Sequence, residues 1–127
     1  MQRWQIGDVR ITKIVEIEAL GGMSFILPQA QPEAVKPLSW MIPHFMNGEG
    51  KLIASVHALV VETPTLTVVV DTCIGNDKER MPNKNWHKMQ TRFLEDFRAA
   101  GFEPDKIDAV LCTHLHVDHV GWNTFWD

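Results

Sequence analysis

Residues 113–121 read Thr-His-Leu-His-Val-Asp-His-Val-Gly, directly after the apolar run Ala109, Val110, Leu111 and Cys112. Three histidines and one aspartate fall within the six residues 114–119. Imidazole nitrogens and carboxylate oxygens are the donors that a borderline-soft divalent cation takes. His114 and His116 are two apart, so in extended chain both point to one side. Asp118 and His119 are adjacent, and they aim at a second point only if the chain turns there, as on entering a helix. The spacing therefore predicts two neighbouring metal positions, His114 with His116 on one and Asp118 with His119 on the other. A polar strand-to-helix loop with solvated histidines is the plainer alternative. The ligand types, together with a buried-type strand in front of them, favour the metal.

This stretch resembles the signature of the metallo-β-lactamase-fold hydrolases. Upstream, Val69, Val70, Asp71 and Thr72 look like their first motif, a strand ending in aspartate. The resemblance runs from about residue 52 onward and is specific for the superfamily, not for a substrate. It implies an α/β fold, a four-layer αββα sandwich of two similar halves with the site at one edge between them. Residues 1–127 resemble the N-terminal half alone, a mixed sheet with helices on one face. His114 and His116 match ligands of the first metal, and Asp118 and His119 match ligands of the second. Two divalent ions are implied, with zinc expected. The family takes a further histidine, a bridging aspartate and another histidine from the second half, and these positions have no counterpart in the sequence. Even a catalytic zinc usually has three protein ligands. Completion is expected from a longer enzyme of which this is a fragment, from a separate complementing chain, or from a second copy in a closed homo-oligomer. Within the chain His44 is the least remote recruit, whereas His57 reads as a core histidine and His87 as a surface residue.

The activity implied by the resemblance is hydrolysis. A metal-bound hydroxide would attack the carbonyl carbon or phosphorus of a small ester, lactone, thioester, β-lactam or phosphotriester. Asp118 is the catalytic candidate, as a proton acceptor. Asp71 either caps the turn over residues 72–76 or accepts a hydrogen bond from a metal-binding imidazole and fixes its tautomer, and the two roles are compatible. The apolar stretch at residues 40–46 suits a flap packed on its own sheet, or a substrate-pocket wall or subunit contact built on Trp40 and Phe45. Its tone resembles the lactonase and organophosphate-hydrolase relatives more than secreted β-lactamases. The competing reading is a non-catalytic, metal-binding or structural half-domain that needs a partner chain to fold or act. Diiron redox relatives of the fold are disfavoured, since they tend to replace the second histidine-type ligand by a carboxylate and His116 is retained.

The 127 residues suffice for one domain with a modest core. Net charge is -4 and no basic run exists, so the electrostatic footprint of a nucleic-acid binder is missing. No apolar run is long enough to span a bilayer, and no apolar signal opens the sequence, so a cytoplasmic protein without membrane partners is expected. Cys73 and Cys112 read as small buried thiols. Cys73 stands where the family often has glycine, and is expected beside the metal loop without being a ligand.

The remaining pattern predicts the elements. Residues 4–17 predict a hairpin turning at Gly7 and Asp8, with Val9, Ile11, Val15 and Ile17 on the covered face of its second arm and Ile14 as a mild irregularity. Residues 33–36 predict one short helix. Residues 52–61 and 66–70 predict two strands, the second covered on both faces. Trp86, Met89, Phe93, Phe97 and Ala100 predict one helix from Trp86 to Ala100, capped by Asn85, stopped at Gly101, with Phe102 folded back on Phe97.

Overall fold

Gly7 has a φ of 58°, the left-handed backbone that a two-residue hairpin turn needs. It lets β1 (Gln2–Ile6) pair antiparallel with β2 (Val9–Leu20), from Ile6 opposite Val9 to Gln2 opposite Lys13. The computed structural model describes residues 1–125. Three further strands follow, β3 (Ile53–Glu62), β4 (Thr67–Val70) and β5 (Ala109–Leu111). Together they form a five-stranded sheet in the order β1-β2-β3-β4-β5. β3 and β4 run antiparallel around a turn in which the Leu66 amide donates to the Thr63 hydroxyl at 2.9 Å. β4 and β5 run parallel, with Val69 opposite Val110. Their connection carries the helix α3 (Phe93–Ala99), so the sheet is mixed and the arrangement is the expected α/β type.

The chain divides into two compact units, one of residues 1–17 and from Val56 onward, the other Glu18–Ser55. In the first, side-chain alternation puts Ala58, Val60 and Val69 on one sheet face. There they pack with Ile14 against Phe93, Phe97, Ala100 and Phe102. The covered face of β2 is the reverse of the expected one. Thr12 and Ile14 are buried, while Val15 and Ile17 are half-buried. Ile14 is thus no irregularity but the marker of the inner face. Its neighbours Thr12 and Glu16 disguise that face because one is small and polar and the other is drawn inward by hydrogen bonds. On the opposite face Leu59, Val61, Val68 and Val70 are half-buried, so β4 is fully covered on one side and not on both. β5 is not a buried strand either. Val110 is 47% and Leu111 57% exposed, because among the described residues β5 pairs with β4 alone and forms the sheet edge.

The expected helix from Trp86 to Ala100 forms only in its second half. The amides of Trp86 and His87 do reach the Asn83 carbonyl, but Lys88 then turns left-handed at a φ of 49°. From there the backbone is tied to the preceding loop. The Lys88 amide donates to the Lys78 carbonyl at 2.8 Å, and the Thr91 amide donates to Asn76 Oδ1 at 2.7 Å. These cross-links replace the helical bonds of residues 86–92. Phe93, Phe97 and Ala100 keep the predicted stripe. Gly101 has a φ of 99°, the Phe102 amide closes on the Phe97 carbonyl at 3.2 Å, and the two rings lie 5.6 Å apart, as the stop signal predicts.

The second unit holds two short helices, α1 (Met23–Ile26) and α2 (Pro32–Val35), the latter with its proline in the first turn. A 3-10 turn follows at Ser39–Met41. Its buried centre includes Val35 and Met46. No helix among the described residues is long and apolar enough to cross a membrane.

What positions the histidine-rich loop is a bed made by residues 71–75. The Thr72 amide donates to the His119 carbonyl at 2.9 Å, the Gly121 amide to the Cys73 carbonyl at 2.7 Å, and the Trp122 amide to the Thr72 carbonyl at 2.8 Å. Gly121 makes this contact possible. A Cβ there would overlap the Ile74 carbonyl group and lie 2.5 Å from the Gly75 nitrogen. Gly121→Ala is therefore expected to lower stability by about 3 kcal/mol, measured by urea denaturation. Thr12 presents the opposite case, a fully buried hydroxyl with no hydrogen-bond partner among the described residues. Thr12→Val should raise stability by about 1 kcal/mol in the same measurement, because it removes an unsatisfied polar atom at nearly constant volume.

Candidate metal centre

Asp71 ends β4 in a left-handed backbone conformation, with a φ of 59°. Its amide still donates to Leu111 at the end of β5, at 2.8 Å. That geometry turns its carboxylate toward the histidine loop. Oδ1 accepts from the Thr113 amide and Oδ2 from the Thr113 hydroxyl, both at 2.8 Å. His119 Nδ1 lies 2.8 Å from the same Oδ2. Burial pushes the Asp71 carboxyl up, but the hydrogen bonds from His119 and Thr113 outweigh it and hold the group below its usual range. Asp71 therefore accepts from His119 Nδ1–H, and His119 Nε2 is the ring nitrogen turned away from that carboxylate.

The same anion orients His114 at one remove. The Thr113 hydroxyl, donating to Asp71, lies 3.1 Å from His114 Nδ1 and can accept its proton. His114 is then left with Nε2 as an acceptor, and Nε2 lies 3.1 Å from His116 Nδ1. In one tautomer His116 Nδ1–H donates to His114 Nε2; with both nitrogens unprotonated the two lone pairs face a common point that a cation can occupy. Two nitrogens sharing a tetrahedral zinc would stand about 3.3 Å apart, so the pair fits one ion. Asp118 Oδ2 and His119 Nε2 stand 3.5 Å apart, which fits a second ion in the same way. The His114 and His119 rings are 3.9 Å apart, so the two positions adjoin. Among the described residues no group of three or more His, Cys, Asp or Glu side chains is arranged to hold a metal ion. The ligand-type atoms that approach one another do so as two pairs, His114 with His116 and Asp118 with His119.

The loop gets its turn without the expected helix entry. The His119 amide closes on the His116 carbonyl at 3.0 Å, and a 3-10 turn, Gly121–Asn123, follows. His114 and His116 are exposed, while Asp118 and His119 are partly covered. Cys73 is fully buried, also with a left-handed backbone, at a φ of 56°. That conformation explains why glycine would serve there. Burial pushes its thiol up, and the carboxylates of Glu16, Asp71 and Asp118 push it the same way, so it stays protonated. Trp40 and Phe45 lie in the other unit, both exposed, with ring centroids 6.5 Å apart edge to face.

Two residues of this centre escaped the sequence reading. Thr113 was passed over as the start of a loop, although a hydroxyl next to a metal-type histidine is a natural partner for its second nitrogen. Glu16 was assigned to the solvent side of β2, and no local signal distinguishes it from Glu18.

Comparison with known proteins points to one family. The sequence profile of the metallo-beta-lactamase superfamily matches residues 54–127. No curated protein sequence matches significantly. Among solved structures, a probable metal-dependent hydrolase from Staphylococcus aureus has a TM-score of 0.62 at 24% identity, over 92% of this chain and 41% of its own. The hydrolase AbOPH of the beta-lactamase superfamily has a TM-score of 0.63 at 21% identity, over 93% and 37%. AidC, a dizinc quorum-quenching lactonase solved with an N-acyl-L-homoserine product, has a TM-score of 0.66 at 16% identity, over 94% and 37%. The chain thus spans well under half the length of these structures, and its single mixed sheet corresponds to half of their αββα sandwich. By the profile over most of its length and by its fold, the chain belongs to the metallo-beta-lactamase superfamily.

Proposed function

We propose that residues 1–127 are the N-terminal half of a metal-dependent hydrolase acting on a small ester, lactone or phosphotriester. The observation that carries this reading is the facing pair His114 Nε2 and His116 Nδ1, 3.1 Å apart, with the protons of His114 and His119 drawn to their other nitrogens by Thr113 and Asp71. His114 and His116 hold one divalent ion, and Asp118 and His119 hold the other, with zinc the expected metal. When bound, such ions supply an acidified water as nucleophile and positive charge against the developing oxyanion. Asp118, partly exposed beside His119, is placed to take the proton released during attack. Asp71 and Thr113 keep both imidazoles in the ligating tautomer. Trp40 and Phe45 are the proposed apolar wall for the substrate. The lactonase likeness supports a lactone-type substrate over a nucleic acid, as does the net charge of -4. Two free cysteines, one buried, suit a cytoplasmic setting.

The remaining donors come from a second half, whether a continuation of the polypeptide, a separate chain or a second copy. The pairwise arrangement of donors favours this, and it also favours the second reading, a non-catalytic half-domain that binds metal weakly until a partner joins. Native mass spectrometry with zinc present tests the ligands. The double variant His114→Ala, His116→Ala is expected to lose tight zinc binding, and unchanged stoichiometry would contradict the assignment. Activity separates the two readings. The 127-residue chain should hydrolyse ester and lactone probes orders of magnitude more slowly than a version extended by a second half. No gain on extension would favour the non-catalytic half-domain.

A further inference from the structure

Glu16 lies on β2, far from the metal loop in sequence, yet it is the junction of the elements that hold the loop in place. Its Oε2 accepts from the Ile74 amide at 2.7 Å. Its Oε1 accepts from the Gly75 amide at 3.2 Å, the Thr91 hydroxyl at 3.2 Å and Trp122 Nε1 at 2.7 Å. All four donors are neutral, and each bond is strengthened by the charge on the carboxylate.

The donors sit at a decisive place. Ile74 and Gly75 are the backbone against which Gly121 is pressed, and a Cβ on Gly75 would stand 2.7 Å from the Gly121 carbonyl oxygen. Trp122 follows Gly121, and its ring stacks on Phe93 at 5.7 Å. Glu16 therefore grips both sides of the closest of the backbone contacts that seat the histidine loop. Two residues before that contact stands His119, whose carbonyl is held by the Thr72 amide.

We infer that Glu16 is a positioning residue for the metal centre, acting through residues 74–75 and Trp122 on the placement of His119 and Asp118. The inference rests on the ligand assignment proposed above. Loss of the grip would let the bed and the loop move apart by a few tenths of an ångström, enough to spoil two-donor capture of an ion without unfolding the core.

The test uses the 127-residue chain and zinc alone. Zinc affinity is measured by competition with a chromophoric chelator for the parent chain, Glu16→Gln, Glu16→Asp and Trp122→Phe, at a temperature where each is folded. The indole N–H resonance of Trp122 is followed in parallel, assigned by its loss in Trp122→Phe. In Glu16→Gln an amide NH2 replaces one acceptor oxygen, so affinity should fall several-fold, less than the roughly tenfold or greater loss seen when a direct hydrogen-bond partner of a ligating residue is changed. The indole proton should move upfield as its charged acceptor is lost. In the parent chain the same resonance should shift on zinc addition, because bed and loop are coupled. Glu16→Asp should recover part of the affinity. A role confined to stability would lower the unfolding midpoint of Glu16→Gln while leaving its zinc affinity and the zinc-induced indole shift unchanged, and that result overturns the inference. Should Glu16→Gln fail to fold, Trp122→Phe decides. Several-fold weaker zinc binding supports the inference and unchanged binding overturns it. Equal zinc binding by the parent chain and the His114→Ala, His116→Ala variant would instead overturn the ligand assignment, and this inference with it.

Discussion

The carboxylate of Asp71 is the constraint from which the rest of the centre follows. It ends β4 where β5 also ends, and it accepts three donors from the loop that β5 feeds. Holding those donors requires a left-handed backbone at a residue with a side chain, a conformation that costs about 1–3 kcal/mol. Cys73, two residues on, carries the same cost. Both are offset locally, since the Asp71 amide bonds to Leu111 and the Cys73 carbonyl receives the Gly121 amide. Strain and its compensation thus share one short segment, and that segment is the bed of the histidine loop.

The electrostatic consequence is directional. Asp71 withdraws protons toward the sheet, directly from His119 and through Thr113 from His114. The lone pairs of both rings are therefore turned the other way, outward to the exposed side of the loop. Asp118 adds a second carboxylate on that side. The structure thus has two sides: the Asp71 carboxylate and the Thr113 hydroxyl face one nitrogen of His119 and of His114, and the second nitrogen of each ring faces away from them.

The histidine loop stands out in the sequence because its residues are consecutive. Four ligand-type side chains fall within residues 114–119, and the close backbone approach announced by the glycine after them is what the structure shows at Gly121. The hairpin and the glycine stop of α3 were legible for the same reason, since each is encoded in a turn residue or a short run. What failed were readings that depend on distant contacts. The helix expected from Trp86 is cut short by bonds from Lys78 and Asn76, which no periodicity reveals. The inner face of β2 was inverted because a buried threonine and a hydrogen-bonded glutamate look like surface residues. β5 was taken as buried because apolar content does not say whether a strand has neighbours on both sides. Glu16 shows the limit most plainly, as its four donors come from three separate stretches of the chain.

The exposed edge of β5 has a further meaning. A strand edge with Val110 and Leu111 open to solvent is a template for another strand. The template ends two residues before Thr113, at the root of the ligand loop. Any strand that docked there would run beside the segment that carries His114 and His116, so whatever covers this edge also borders the histidine loop.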